Sequence, residues 1–419
     1  MTAATEPGRR IATLDIIRGV AVMGIFAVNV VAFAMPFQAY FNPSAYGLES
    51  NADLALWFAT FILVDGKMRG LFSLLFGASM LLVIERAEAS GQSPAKIHYS
   101  RMVWLLVLGA LHYYLIWYGD ILTLYAMVGM IAFLFRKLSV RALILWALGL
   151  LAFDILFMAG GAWHFLTAEA AARAPGASAA AIAEWQETSS EFAVPSAAVL
   201  AHELALFRGP WLGIVQEQLT KGLTGPLFQL LFGGAETLGY MLLGMAGLKS
   251  GFLKGAWPQA RYRRIALRTL AVSIPAYAAL AWIVYRSGFD VAVFFIIFFV
   301  AAAPFRLAMM AGYAALIILL TRQGGGLTQR IAAAGRAAFT NYLGTSLIAC
   351  AIFYGWGLGL YGTLSRLEAW LAVPLVWALI LLWSKPWLDR FAYGPFEWLW
   401  RSLARLAPQP MRRRQGAGA

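Results

Sequence analysis

Apolar runs long enough to cross a bilayer recur from one end of this chain to the other, and that pattern decides its fold class. A hydrocarbon core about 30 Å thick takes about 20 apolar residues of helix to cross. The runs are continuous, not alternating, which argues against a transmembrane β-barrel. Only 13% of the 419 residues are charged, well below the roughly 25% of a soluble domain. The expected fold is all-α: a polytopic integral membrane bundle of about ten transmembrane helices. By run length the spans fall at 16–37, 51–86, 102–118, 121–135, 142–163, 225–248, 269–285, 290–320, 337–355 and 369–387. The last but two is too long for one straight crossing, and Pro304 and Arg306 inside it predict a kink or break.

Charge fixes the orientation. The net charge of +13 sits mostly in loops, as expected of cytoplasmic segments, so nucleic-acid binding is not expected. With both termini cytoplasmic, the inside loops become 85–101, 136–141, 249–268 and 321–336, all basic. The outside loops 38–53, 119–120, 164–224, 286–289 and 356–368 are sparse in Lys and Arg. One integral membrane domain over 1–419 follows, with a five-span half at 14–165 and a second at 225–405. Between them, 166–224 reads as an extracytoplasmic loop whose stretch 196–223 forms an interfacial helix anchored by Trp211. A basic cytoplasmic tail, 406–419, carries Arg412, Arg413 and Arg414. Arg9 and Arg10 precede a first span with no prompt cleavage signal, so that span is expected to stay. The single cysteine, Cys350, excludes an intrachain disulfide.

The polar residues inside these spans are the candidates for chemistry, because a charge at mid-bilayer costs about 2.5–3.5 kcal/mol. The stretch 51–86 places Asp65, Lys67 and Arg69 in its apolar middle and reads as one long helix or two half-helices. Asp65 and Lys67 are two apart and face differently, whereas Asp65 and Arg69 have the i, i+4 spacing of a pair. Gly66, Gly70, Ser73 and Gly77 form a small-residue strip that lets a neighbouring backbone come close. Asp15 and Arg18, at i and i+3, form either an anchoring ion pair or the polar lining of a cytoplasmic cavity. Asn29 lies deeper and can bridge helices.

His112 is the histidine placed within the membrane core, either as a hydrogen-bonded core residue or as a proton shuttle. Asp120 shares its face at i+8 if the helix continues. Glu236, beside Gly233 and Gly234, must be neutral, paired or wet, and Arg306 is its expected counter-charge. Asn341 and Tyr342 enter the ninth span. Gly355, Gly357, Gly359 and Gly362 mark a flexible end or a close-packing surface, without the context of a phosphate-binding loop. No His-x-x-x-His spacing or nucleophile elbow occurs, so no metal is expected. The residues alone fit a transporter or an enzyme working inside the membrane.

Five stretches together narrow this: RIATLDIIRGVAVMGIFAVN (10–29), GKMRGLFSLLFGAS (66–79), LGALHYYLIWYGDILTLYAMVG (108–129), GRAAFTNYLGTSLIACAIFYGWGLGLYG (335–362) and GPFEWLWRSL (394–403). In this order they resemble the YeiB-like family of bacterial membrane proteins, whose C-terminal half is a domain of unknown function. That family is similar to the transmembrane acyltransferases. The resemblance implies a bacterial inner-membrane protein that moves an acyl group from cytoplasmic acyl-CoA to a glycan, lipid or small-molecule acceptor on the outer side. It implies no permanently bound cofactor; acyl-CoA is a co-substrate. Under it His112 is the candidate base with Asp120 as orienter, and Asp65 and Lys67 join the catalytic set. Lys67 and Arg306 stabilise developing charge. Asp15, Arg18 and Arg69 are candidates for holding the acyl-CoA, and Glu236, Arg306, Asn29, Asn341 and Tyr342 for the acceptor. The lysosomal N-acetyltransferase members carry a His upstream of the counterpart of Asp65. Residues 51–64 contain none, which moves the base to His112. The alternative is a transporter or exporter of a small or lipid-linked molecule.

Overall fold

The molecule is arranged around α1 (Ala12–Ala34), an apolar helix enclosed along most of its length. Its N-terminal half has small residues where another helix crosses, and the crossing is close. A Cβ at Gly19 would run into the Ile331 carbonyl, and one at Gly335 into the Asp15 carbonyl. These contacts seat α1 against a helix from the far end of the chain. The computed structural model describes residues 11–412, so Arg9, Arg10, Arg413 and Arg414 lie outside the described residues.

After α1 come a short turn of helix, α2 (Gln38–Phe41), then α3 (Asn51–Leu63) and α4 (Lys67–Ala89). A hairpin of α5 (Pro94–Leu115) and α6 (Leu122–Ala132) follows, then the long α7 (Val140–Arg173). The segment between the halves is helical: α8 (Ala179–Ser189), α9 (Ala197–Arg208) and α10 (Trp211–Thr220). The second half begins with α11 (Gly225–Lys249) and α12 (Gln259–Arg286). Then α13 (Val291–Phe295), a π-helical stretch (Ile296–Ala301) and α14 (Ala303–Leu320) run on from one another. The chain closes with α15 (Gly326–Arg336), α16 (Ala338–Phe353), α17 (Arg366–Trp370), α18 (Ala372–Arg390) and α19 (Pro395–Arg405). Among the described residues there is no strand, only one isolated bridge between Phe391 and Arg412. Among the described residues, seven helical stretches are long and apolar enough to cross a membrane: Ala12–Ala34, Asn51–Ala89, Val140–Arg173, Gly225–Lys249, Gln259–Arg286, Ala303–Leu320 and Arg366–Arg390. Leu122–Phe135, Val291–Ala301 and Ala338–Phe353 are apolar but shorter. The expected span 102–118 falls in α5 and the turn after it, and α5 begins with Lys96, His98 and Arg101.

The stretch 51–86 resolves into two half-helices. Gly66 turns with φ +71°, and the Asp65 N–H bonds the Thr60 carbonyl, leaving the Phe61 carbonyl without its helical partner. In lipid such a group must find a donor inside the protein. Lys67 supplies it: its Nζ folds back onto the Phe61 carbonyl at 2.5 Å, and the Tyr313 hydroxyl donates to the Leu63 carbonyl at 2.8 Å. The ammonium is placed at the negative end of the α3 dipole and over the Tyr277 ring, 3.3 Å from its centroid. The second discontinuity is the π-helical stretch before α14, where Pro304 has no N–H to continue the ladder.

Two expectations need correction. Residues 196–223 form two helices, not one, because Pro210 interrupts the chain after Gly209 and starts α10 afresh. The fifth span does not stop at Trp163; α7 runs on to Arg173, into the segment expected as loop. Of the two readings expected for the glycines at 355–362, close packing is the one observed, within a tight turn. Gly359 and Gly362 have φ +71° and +65°, and a Cβ at Gly355 would meet the Arg208 carbonyl of α9.

Candidate functional site

A cavity of about 470 Å³ opens where the N-terminus of α1, the C-terminus of α4, the N-terminus of α5, the α15–α16 junction and α19 come together. Each of these five elements contributes an arginine: Arg18, Arg86, Arg101, Arg336 and Arg401. Asp15 and Glu397 are the carboxylates on its wall, and both are engaged. Arg18 donates to Asp15 at 3.1 Å, to the Gly335 carbonyl at 3.2 Å and to Ser79 at 2.5 Å, so the expected i, i+3 pair also clamps α4 and α15 to α1. Glu397 caps α16: it accepts the Phe339 and Thr340 N–H groups at 2.7 and 3.1 Å and the Thr340 hydroxyl at 2.5 Å. Five arginines against two carboxylates give the lining an excess of positive charge. Apart from Ser79, His98 and the tyrosine hydroxyls, the remaining lining is apolar and aromatic, including Phe72, Phe76, Leu105, Leu122 and Phe339.

The Glu397 cap is testable on its own. Glu397→Ala leaves the first N–H groups of α16 without an acceptor, and its cost is expected at about 1–2 kcal/mol. Thermal unfolding of the purified protein in detergent should show the loss, with Glu397→Gln keeping part of the stability.

Two tyrosines on the cavity wall lead to two buried polar groups. The first is Tyr342, whose hydroxyl accepts the Ile121 N–H at 3.2 Å and whose ring lies 5.3 Å from that of His112. Behind it His112 Nδ1 and Asp120 Oδ1 are 2.8 Å apart, both side chains wholly enclosed. The other carboxylate oxygen of Asp120 accepts the Thr123 N–H at 2.9 Å, in the first turn of α6. The pair forms by a different route from the one expected. The helix does not continue through i+8: α5 ends at Leu115, and the turn before α6 carries Asp120 back onto the imidazole. The bond fixes the tautomer, placing the proton on Nδ1 against the carboxylate. The other ring nitrogen, Nε2, is buried and has no partner among the described residues.

The second is Tyr125, whose hydroxyl lies 2.6 Å from Ser73 and donates to the Arg69 carbonyl at 3.2 Å. Beyond it sits Glu236 on α11. Arg306 Nη1 donates to its Oε1 at 2.6 Å, the Tyr240 hydroxyl to the same oxygen at 2.8 Å, and Arg69 to Oε2. The expected Glu236–Arg306 pair is present, and Arg69 is a second partner. The i, i+4 pairing of Asp65 with Arg69 is not: the break at Gly66 takes the two off a common helix face, and Arg69 turns to α11. Asp65 instead accepts the Tyr40 hydroxyl at 3.4 Å and lines a separate, small cavity of about 20 Å³ with Thr60 and Arg366. Arg306 Nη2 holds the Phe298 carbonyl of the π-helical stretch at 2.5 Å, and its side chain leaves no room for a Cβ on Gly66. The two helix discontinuities therefore meet at this guanidinium.

The candidates thus separate into distinct places. Asp15, Arg18 and Tyr342 line the arginine-rich cavity; His112 and Asp120 lie behind it; Arg69, Glu236 and Arg306 form the central cluster; Lys67 belongs to the helix break. Lys67 and Arg306 make no contact with His112, contrary to the expectation that they would stabilise charge beside it. Arg69 is likewise away from the cavity lining. The Asn341 amide is taken up in packing: Nδ2 donates to the Ala334 carbonyl at 2.9 Å and to Ser384 at 3.2 Å, and Oδ1 accepts Trp383 at 2.9 Å. Asn29 is half-buried on α1 and joins neither network. Sequence reasoning missed His98, Arg86, Arg101, Arg336 and Arg401 as lining of one cavity. Their shared place beside basic loops was the signal available. It also missed Tyr125 and Tyr240, which nothing in an apolar run distinguishes from ordinary core.

At the opposite end, α9 closes the molecule. Glu203 accepts the Phe37 N–H at 2.8 Å and the Tyr361 hydroxyl at 3.0 Å, and burial pushes its carboxyl up from its ordinary value despite those donors. Arg208 donates to the Tyr361 and Gly362 carbonyls at 2.8 and 2.9 Å.

Comparison with known proteins gives relatives along the whole chain. A family model described as "Protein of unknown function (DUF418)" matches residues 247–407. The chain is 32% identical over 415 residues to the uncharacterized protein YxaH of Bacillus subtilis, covering 97% of each. It is 33% identical over 420 residues to the uncharacterized protein YeiB of Escherichia coli, covering 95% of this chain and 97% of that one. A 39.9 kDa protein of Bacillus acidopullulyticus is 24% identical over 395 residues. No solved structure matches.

Proposed function

The chain belongs to the YeiB-like family of membrane proteins, and from that premise we propose that it is a membrane-embedded acyltransferase using cytoplasmic acyl-CoA. In this reading the chain makes about ten crossings of the bacterial inner membrane with both termini cytoplasmic, which the distribution of Lys and Arg between loops supports. The arginine-lined cavity then faces the cytoplasm, since its walls adjoin the basic loops. The observation that carries the reading is the His112–Asp120 pair, with an unpartnered Nε2, one aromatic ring away from that cavity.

The arginines would hold the phosphates of the acyl donor, as planar forks suited to bidentate contact. His112 Nε2 takes the proton from the acceptor hydroxyl or amine as that atom attacks the thioester carbonyl. Asp120 stabilises the imidazolium. Collapse of the intermediate breaks the carbon–sulfur bond, and the imidazolium returns its proton to the departing thiolate. The products are the acylated acceptor and free CoA. The test is acyl-CoA binding to purified protein, with slow hydrolysis in the absence of acceptor. His112→Ala should abolish turnover while preserving the folded state and acyl-CoA binding. A protein that binds no acyl-CoA, or a His112→Ala variant with full turnover, removes the proposal.

A second reading, a transporter of a small or lipid-linked molecule, draws on the two discontinuous helices that meet at Arg306, because broken helices line many transport sites. Substrate flux in proteoliposomes that survives His112→Ala but not Glu236→Gln would favour it.

A further inference from the structure

The exposed side of α12 carries a feature that neither of the polar groups described above uses. A wholly apolar groove of about 370 Å³ runs between α12 and α14, lined by Ala266, Leu267, Leu270, Ala271, Ile274 and Leu316 with Pro275 at its end. Leu267, Leu270, Ala271 and Ile274 recur at helical spacing, so the groove follows one face of α12. One turn towards the helix N-terminus, Arg263 and Arg264 continue that face, and Arg268 adjoins it; all three are exposed. None has an ion-pair partner among the described residues, and α12 contains no Asp or Glu. Across the groove α14 ends at Leu320, and another exposed arginine, Arg322, follows.

We propose that this face is a binding site for one anionic phospholipid of the leaflet on the basic side. Its phosphate sits among Arg263, Arg264 and Arg268, and an acyl chain lies in the groove. Length supports this occupant. From Arg264 to Pro275 the helix rises about 16 Å at about 1.5 Å per residue, which is half of an approximately 30 Å hydrocarbon core. The groove therefore spans one leaflet, starting at headgroup depth with unpaired positive charge and ending near the bilayer centre. Charge complementarity selects an anionic headgroup over a zwitterionic one, since each arginine near the surface attracts anionic lipid. Pro275 has no N–H and its ring displaces the preceding turn, which shapes the inner end of the groove. This site is independent of the proposed acyl transfer, as it shares no residue with the arginine-lined cavity.

The experiment uses full-length protein purified in detergent, delipidated, and titrated with phosphatidylglycerol or phosphatidylethanolamine. Bound lipid is counted by native mass spectrometry. The expected result is a preference of about tenfold for phosphatidylglycerol. The Arg263→Gln/Arg264→Gln/Arg268→Gln variant should bring the two lipids to parity. Ala271→Phe, which fills an exposed part of the groove, should reduce occupancy by both lipids without altering thermal unfolding of the lipid-free protein. Equal binding of the two lipids by the unaltered protein, or an undiminished phosphatidylglycerol preference in the triple variant, overturns the proposal.

Discussion

Glu236→Ala is expected to cost about 3–5 kcal/mol of stability, the range for leaving a buried charge without its partner. Glu236 answers two arginines at once, and the Tyr240 hydroxyl adds a third donor. Its removal leaves Arg306, with 5% of its side chain exposed, without its hydrogen-bonded carboxylate. Arg69 is 32% exposed whereas Arg306 is enclosed, so the Arg306 contact carries most of the loss. Glu236→Gln keeps shape and one acceptor but not charge, and should fall between. The sharper comparison is the triple change Glu236→Met, Arg69→Met and Arg306→Met. Replacing a whole buried ionic set by apolar side chains of similar size is often neutral or stabilising. The triple variant should therefore unfold at a higher temperature than Glu236→Ala in the same detergent. If it unfolds at a lower one, the arginines hold the helix breaks by contacts other than the carboxylate, the Phe298 carbonyl first among them.

The second large effect is steric. Where α4 crosses α11, a Cβ on Gly77 would strike the Met241 carbonyl and one on Gly244 would strike the Leu74 carbonyl. Each glycine faces the other helix's backbone, so the helices cannot separate to admit a side chain at one point without losing the contact at the other. Overpacking a core commonly costs about 1–3 kcal/mol where side chains can yield. Here the obstacle is backbone, and the expected cost is above that range. Gly77→Leu and Gly244→Leu should each give protein that is aggregated or absent from the monodisperse peak on size-exclusion chromatography. The control is Gly149→Leu. That glycine is exposed on α7 with nothing within 4 Å of an added Cβ, and leucine improves helix propensity by up to about 1 kcal/mol. A well-folded Gly77→Leu protein would mean that the two helices do not cross at this distance.

The small-residue strip was legible because its spacing needs no partner to be recognised, and Gly70 and Gly77 do receive neighbouring helices. The Asp15–Arg18 pair was legible for the same reason: it lies within one unbroken helix. Asp65 and Arg69 had the equivalent spacing and did not pair, since Gly66 breaks the helix between them. The sequence offered both outcomes and could not choose. His112 and Asp120 were associated correctly by a wrong route, because a helix face and a tight turn can bring the same two residues together.

What the sequence determined by itself is the class of solvent and the secondary structure that solvent permits. Continuous apolar runs must become helices, as only a helix satisfies its backbone within a single segment in lipid. The seven long helices and the apolar shorter ones follow from that local property. Tertiary structure decided how each buried charge is used. Lys67 caps a half-helix, Arg69 crosses to α11, and five arginines from five separate helices gather around one cavity. Those outcomes depend on which helices become neighbours. Burial energy sums residue by residue along the chain, but a charge inside the membrane is stabilised only by partners that packing brings to it.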